Sequence, residues 1–295
     1  MTLANKYAEL VKCYGLTQDP SNGDYMLVMH PMDTDLRKYL QHQLTWKEKI
    51  FVAYRIISSL HKIHLYKAVH RDLHSGNILY LQYNNFWYIS DFGFCGPADK
   101  PLKSIYGNLP YIAPEVIIGR KYTFASDIYS FGILMWEISS GQTPFNNYEH
   151  NYDLAMKIVN GMRPKIKSKI PSEYEKLMKQ CWDADPLKRP NTYTLFGEIE
   201  KMWKDSYNDN NTNEFNALEY NDSSHSNSSS SSKLHLLSTS KVYQFEHLPE
   251  PKNATEGRYI LIHEHSLFIF KINKLLICII LCSFPYININ RRTRR

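Results

Sequence analysis

Three short motifs in a fixed order constrain the fold of this chain more than any other feature. Residues 70–77 read HRDLHSGN, residues 91–93 read DFG, and residues 113–115 read APE. The spacing D-x-x-x-x-N turns both polar side chains of the first motif back toward one cleft, and the glycine of the second permits a sharp backbone turn. A single tripeptide recurs by chance, but the three together indicate parts of one site.

With these motifs the chain resembles the protein kinase family, in particular its tyrosine-kinase-like branch, over residues 8–203. The stretch SDIYSFGILMWE is similar to a helix of that family whose aspartate, here Asp127, would bond the HRD backbone. The stretch CWDADPLKRP carries an arginine, here Arg189, that would pair with the APE glutamate, here Glu115. The resemblance implies an α+β, kinase-like fold with a mostly α-helical large lobe and a remnant of the small-lobe β-sheet.

The resemblance also implies phosphoryl transfer from ATP to a protein substrate. This chemistry needs groups that hold Mg²⁺, orient the acceptor hydroxyl and neutralise charge. Asp72 would accept the proton of the acceptor hydroxyl, and Arg71 completes the catalytic loop beside it. Asn77 and Asp91 would hold Mg²⁺ against the nucleotide phosphates.

A nucleotide-binding hinge follows from the same resemblance at YMLVMHPM. Met29 would be the gatekeeper, and the backbone of His30 and Met32 would bond the adenine edge. Pro31 has no N–H, so the donor would come from Met32. Leu79 would form the apolar floor. The alternative is that this stretch is only a strand end followed by a turn.

The segment between DFG and APE holds two candidate phosphoacceptors, Ser104 and Tyr106. A phosphate on either could pair with Arg71 and order the segment, while the alternative is that both are ordinary loop residues. His74 and Asn108 depart from the usual serine/threonine pattern, but the stretch that tyrosine kinases show after HRD is also absent. We therefore expect serine/threonine specificity.

Apolar periodicity predicts the main helices. Between Thr45 and Tyr66, apolar residues recur at helical spacing and lead into the HRD loop. Two short apolar runs, 8–15 and 25–29, flank a turn-rich stretch and predict a hairpin. Further helices are predicted at residues 126–139, 152–160, 172–182 and 192–204.

The chain divides by composition into four regions. Residues 1–32 are predicted to be the small-lobe remnant and hinge, and residues 33–204 the large lobe. Residues 205–258 are rich in asparagine and serine and are predicted to be a disordered linker. Residues 259–295 form an apolar tail with a basic end.

Two interpretations of the tail compete. Its apolar run is shorter than the roughly 20 residues that cross a bilayer, and its RRTRR end conflicts with the positive-inside tendency of a tail anchor. Membrane association through residues 266–287 is therefore disfavoured. The favoured interpretation is translated non-coding sequence, because the residues of this stretch have AT-rich codons.

The overall composition limits the cellular setting and the partners. The 295 residues are 43% hydrophobic, which suffices for one large core. Much of the net charge of +6 comes from the arginines of residues 291–295, so no nucleic-acid partner is indicated. Five cysteines without CxxC spacing argue against a disulfide framework. Residues 1–10 contain no apolar leader, so a cytoplasmic location is expected, with membrane association through the tail as the alternative.

The elements that precede HRD in the resembled fold are incomplete. His70 is preceded by 69 residues, and residues 1–75 hold only Gly15 and Gly23 and no GxGxxG. The expectation is a chain that begins within the small lobe. Two functions follow. The retained Asp72, Asn77 and Asp91 favour a serine/threonine-type kinase, whose longer native chain would be active. The missing strand lysine and αC glutamate of the resembled fold favour, for this chain as given, an inactive pseudokinase fragment that acts as a binding or scaffold module.

Overall fold

The computed structural model describes residues 10–93, 95–97, 105–166, 170–208, 240–245 and 247–253. The described chain divides into two units. The smaller contains residues 14–28. The larger contains the other described residues, among them all three motifs.

Two strands, β1 (Cys13–Gln18) and β2 (Tyr25–Met29), form a two-stranded sheet. Within the turn between them, the Asp19 carboxylate accepts a hydrogen bond from the backbone N–H of Ser21 at 2.8 Å. The predicted second strand is confirmed, whereas the first begins later than residue 8. The reason is that Leu10 is buried and forms an isolated parallel bridge with Ile89 of the larger unit.

The larger unit is mainly helical. Its helices are α1 (Leu36–Tyr39), α2 (Trp46–Leu65), α3 (Pro114–Ile117), α4 (Phe124–Ser140), α5 (Tyr152–Val159), α6 (Ser172–Cys181) and α7 (Thr192–Asn208). The predicted long helices are all confirmed within a few residues at their ends. A capping box between Thr45 and Glu48 begins α2, where the threonine hydroxyl accepts from the Glu48 N–H at 3.3 Å.

The helix α4 is the centre of the core. Nearly all of its side chains are buried, as expected for a helix whose apolar residues are not confined to one face. It packs against α2 on one side and α6 on another. A Cβ added at Gly132 would lie 2.7 Å from the Cβ of Cys181, so the glycine is what allows α6 to pack this closely.

Short strands connect the helices and position the motifs. They are β3 (Thr34–Asp35), β4 (Ala68–Val69), β5 (Ile78–Leu81), β6 (Phe86–Ile89), β7 (Gly96–Pro97), β8 (Ile105–Gly107) and β9 (Lys241–Tyr243). The strands β3, β5 and β6 form an antiparallel sheet in that order, and Leu79 pairs with Asp35 on one side and Tyr88 on the other. Two further antiparallel pairs join β4 to β7 and β8 to β9.

The structure differs from the predicted linker over residues 240–245 and 247–253. These residues pack against the large lobe instead of standing apart, and Tyr243 is buried. The cause is local: Tyr243, Phe245 and Leu248 supply apolar surface that an average over an asparagine- and serine-rich window conceals.

The tail at 259–295, including residues 266–287, lies outside the described residues, as does Ser104. Within the part of the chain that the structure describes, no helix has both the length and the apolar character to cross a bilayer.

Candidate active site

The backbone of the HRD motif is held by one buried carboxylate from α4. Asp127 Oδ2 accepts from the backbone N–H of His70 at 2.8 Å, and Oδ1 accepts from the N–H of Arg71 at 2.9 Å. His64 Nε2 lies 2.9 Å from the same carboxylate. The predicted bond from Asp127 to this loop is therefore present.

The loop is also strained in a way that fixes its shape. Arg71 has φ 73° and Asp91 has φ 56°, both in the left-handed region that non-glycine residues rarely adopt. Residues held in that region cost free energy and cluster at functional sites. The strain at Arg71 is offset in part by the two hydrogen bonds that Asp127 accepts from the N–H groups of His70 and Arg71.

Asp72, the aspartate of the HRD motif, is buried and only 3% exposed to solvent. Its Oδ1 accepts from the hydroxyl of Ser240 at 2.9 Å and lies 3.7 Å from His74 Nε2. Its Oδ2 has no hydrogen-bond partner among the described residues. A buried carboxylate oxygen without a donor is costly, which indicates a site made to receive one.

Asn77 is bonded to the backbone of Asp72, and Asp91 directly follows a residue that is bonded to Asn77. The Asn77 amide nitrogen donates to the backbone carbonyl of Asp72 at 2.9 Å, which fixes the side chain beside the catalytic loop. The Asn77 backbone carbonyl in turn accepts from both the N–H and the hydroxyl of Ser90, the residue before Asp91. Asp91 is exposed, and its Oδ1 accepts from the Gly93 N–H at 3.3 Å.

This pair of side chains fits Mg²⁺ better than a structural metal. One amide oxygen and one carboxylate are hard oxygen ligands, and Mg²⁺ is usually held by one or two such groups together with phosphates and water. Among the described residues there is no cluster of three or more His, Cys, Asp or Glu side chains that could hold a metal alone.

The hinge residues predicted from sequence lie together at the end of β2. The His30 N–H donates to the Lys12 carbonyl at 2.9 Å, so this N–H already has an acceptor within the chain. The Met32 N–H has no acceptor among the described residues. Leu79 is half-buried in β5, and Met29 is exposed.

The APE motif is tied to the large lobe by a buried ion pair. Arg189 Nη1 and Nη2 donate to the two carboxylate oxygens of Glu115, each at 2.7 Å. The two side chains are 0% and 4% exposed. The predicted pairing of these residues is confirmed.

Comparison with known proteins agrees with this geometry. The family model described as protein tyrosine and serine/threonine kinase matches residues 1–199. The chain belongs to this kinase family. A dual serine/threonine and tyrosine protein kinase of Homo sapiens is 33% identical over 206 residues, which cover 67% of this chain and 22% of the relative.

Other relatives of this kinase domain show the same partial coverage. A dual serine/threonine and tyrosine protein kinase of Pimephales promelas is 31% identical over 194 residues, covering 63% of this chain and 21% of the relative. Mitogen-activated protein kinase kinase kinase 7 of Drosophila melanogaster is 30% identical over 166 residues, covering 56% and 24%. The chain thus spans about a quarter or less of each relative's length. The predicted resemblance to the tyrosine-kinase-like branch is confirmed.

The kinase activation segment carries Tyr106 in a buried position in β8, 8% exposed. The Tyr122 hydroxyl accepts from the Tyr106 N–H at 3.0 Å and donates to the Tyr106 carbonyl. Burial raises the pKa of the Tyr106 phenol, with smaller contributions from the carboxylates of Asp72 and Asp91. The Tyr106 side chain is therefore buried near the Asp72 and Asp91 carboxylates. Its role as a phosphoacceptor stays a prediction.

A buried hydrogen-bond network next to the kinase catalytic loop was not predicted from the sequence. Glu137 of α4 accepts from the Ser75 hydroxyl at 2.8 Å and from the Tyr111 hydroxyl, and the guanidinium of Arg37 lies 4.0 Å away. Burial raises the pKa of Glu137, against the opposing effect of Arg37. The only sequence signal was a lone glutamate within the apolar run of α4.

Proposed function

We propose that this chain transfers the γ-phosphoryl group of Mg-ATP to a serine or threonine hydroxyl of a protein substrate. The observation that carries the proposal is the unpartnered Oδ2 of the buried Asp72, next to an Oδ1 that already accepts a serine hydroxyl. A carboxylate in that position can orient an acceptor hydroxyl and take its proton.

The other residues of the site would divide the remaining work. Asn77 and Asp91 would hold Mg²⁺, which supplies charge neutralisation at the phosphates when bound. The backbone groups of His30 and Met32 would fix the adenine, and Leu79 would pack against it. Arg71 holds the loop that carries Asp72, because its backbone N–H is bonded to Asp127.

Paired substitutions in the full chain test this division. Asp72→Asn keeps the shape of the side chain but removes the base, so phosphate transfer to a generic acceptor such as myelin basic protein should fall by about 10²-fold or more. Binding of a fluorescent ATP analogue with Mg²⁺ should change by less than about twofold. Asp91→Asn should weaken that binding. The exposed Asp205 offers the matched control Asp205→Asn.

The outcome separates the kinase from its alternative. If the wild-type chain binds the nucleotide but transfers no phosphate, the domain acts as a pseudokinase binding module. If Asp72→Asn weakens nucleotide binding as much as Asp91→Asn, the roles given to these two carboxylates are wrong.

A further inference from the structure

The segment formed by residues 240–253 lies across the acceptor side of the active site. Its strand β9 pairs antiparallel with β8 of the activation segment, in the register Ile105 to Tyr243 and Gly107 to Lys241. This register brings Ser240 to the catalytic loop. The Ser240 hydroxyl donates to Asp72 Oδ1 at 2.9 Å and lies 3.1 Å from His74 Nε2.

Buried and exposed side chains alternate along β9, and the buried Tyr243 anchors the strand to the domain. Tyr243 is 5% exposed and its ring stacks on Phe245 at 5.4 Å, while the neighbouring Val242 is 43% exposed. Successive residues of a strand point to opposite faces, so Tyr243 faces the domain and Val242 faces solvent. Phe245 extends the anchor to Tyr152 of α5, with ring centroids 6.1 Å apart.

The far end of the segment is fixed by two hydrogen bonds, one to its backbone and one to a side chain. The Lys252 N–H donates to the Val159 carbonyl at 2.8 Å, and Asn253 Oδ1 accepts from the Ala184 N–H at 2.6 Å. A Cβ added at Gly161 would collide with the Asn253 backbone, so the glycine makes room for the segment. Contacts at both ends of the segment are typical of a specific docked segment rather than of a chance surface contact.

We propose that residues 240–253 are an intramolecular ligand of the protein-acceptor groove and that Ser240 is its phosphoacceptor. Docking of the segment depends only on the contacts above, whereas phosphorylation of Ser240 rests on the proposed function. In that step the Ser240 oxygen forms a bond to the γ-phosphorus of ATP and the bond from that phosphorus to the bridging oxygen breaks. ADP leaves with the bonding electron pair, and the hydroxyl proton passes to Asp72.

The same geometry defines the class of acceptor. The short serine side chain reaches Asp72 while the next residue, Lys241, is already paired with Gly107. A tyrosine hydroxyl stands several ångströms further from its own backbone, so it would reach Asp72 only if the strand moved out of this pairing. The groove therefore suits a serine or threonine followed, three residues later, by a buried aromatic residue.

The first experiment measures docking without any need for activity. Hydrogen–deuterium exchange of the full chain should show protected amides at Ile105 and Gly107, and Tyr243→Ala should raise their exchange rate at least about tenfold. The Tyr106 amide does not report on docking, because it donates to the Tyr122 hydroxyl. Val242→Ala removes an exposed side chain from the adjacent position and should leave the rate unchanged. Equal rates in wild type and Tyr243→Ala would overturn the docking. Faster exchange on dilution of the wild-type chain would show that a second copy supplies the segment, which would overturn the intramolecular docking.

The second experiment follows phosphate. With Mg-ATP, mass spectrometry of the full chain should find phosphate on Ser240 at a rate per molecule that is independent of protein concentration. Ser240→Ala should lose it, and Ser238→Ala should not. Phosphorylation of myelin basic protein without phosphate on Ser240 would overturn the acceptor role of Ser240. Phosphorylation of neither would instead refute the kinase function, and the acceptor role with it, while the exchange result still decides the docking.

Discussion

Removal of the Arg189 guanidinium should destabilise the large lobe severely. The side chain makes four hydrogen bonds: two to the Glu115 carboxylate at 2.7 Å, one to the Asp183 carbonyl and one to the Ala125 carbonyl, both at 2.8 Å. Arg189→Ala would leave the carboxylate buried without its counter-charge and would remove one donor from each of the two carbonyls.

The magnitude follows from this burial. Breaking a buried ion pair from one side typically costs about 3 to 5 kcal/mol, because the remaining charge keeps its desolvation penalty. A domain of this size loses roughly 2 to 4 °C of Tm per kcal/mol, so the expected fall in Tm is about 6 to 20 °C. Such a loss is a large share of the roughly 5 to 15 kcal/mol that holds a domain folded.

Thermal melting and urea denaturation of the full chain, followed by circular dichroism, would measure the effect. The exposed neighbour gives the control Lys188→Ala, which should melt within about 1 °C of wild type. Glu115→Gln and the double variant complete a thermodynamic cycle, in which a coupling energy above about 1 kcal/mol is expected. An Arg189→Ala protein that melts within a degree or two of wild type would refute the reasoning.

Two further predictions concern the core and the pH dependence. Gly132→Ala should destabilise the fold by about 1 to 3 kcal/mol because its Cβ would meet Cys181. Gly197→Ala, in α7, should stabilise the fold by about 0.5 to 1 kcal/mol, because its Cβ would meet no described atom and alanine favours the helix. Urea denaturation of both variants measures these changes, and equal effects would refute the packing argument. Burial, with Lys241 nearby, lowers the pKa of His150 to about 4. Between pH 6.5 and 4 the His150 side chain therefore binds a proton in the unfolded chain but stays neutral in the folded chain. As the pH falls through this range, the free energy of unfolding should decrease by up to about 3 kcal/mol. His150→Gln should flatten this dependence in denaturation curves, and an unchanged slope would contradict it.

The sequence was informative where a short pattern determines the contact. The helix α2 follows from apolar spacing and the Thr45 cap, and the contacts of Asp127 and Arg189 follow from motifs whose partners lie in other motifs. In each case the partner residue type and its place in the fold were both recognisable without coordinates.

Contacts between residues that no motif links could not be predicted. Ser75, Tyr111 and Glu137 meet only because the fold brings three distant segments together. The docking of Tyr243 depends on register against β8, which tertiary packing sets and composition conceals. The start of β1 shifted for a similar reason, because Leu10 bonds to β6 rather than joining the hairpin.

The helix α4 both forms the centre of the core and positions the loop that carries Asp72. Asp127 in its first turn holds the start of the catalytic loop, and Glu137, about 15 Å further along the axis, holds Ser75 at the end of that loop. The loop is therefore clamped at both ends by one rigid element, and Asp72 lies between the clamps with one carboxylate oxygen left unbonded. A buried polar group can be kept in that costly state only where its surroundings cannot relax around it. The position of Asp72 is thus set by the packing of α4, so substitutions that loosen this helix should misplace the Asp72 carboxylate before they unfold the domain.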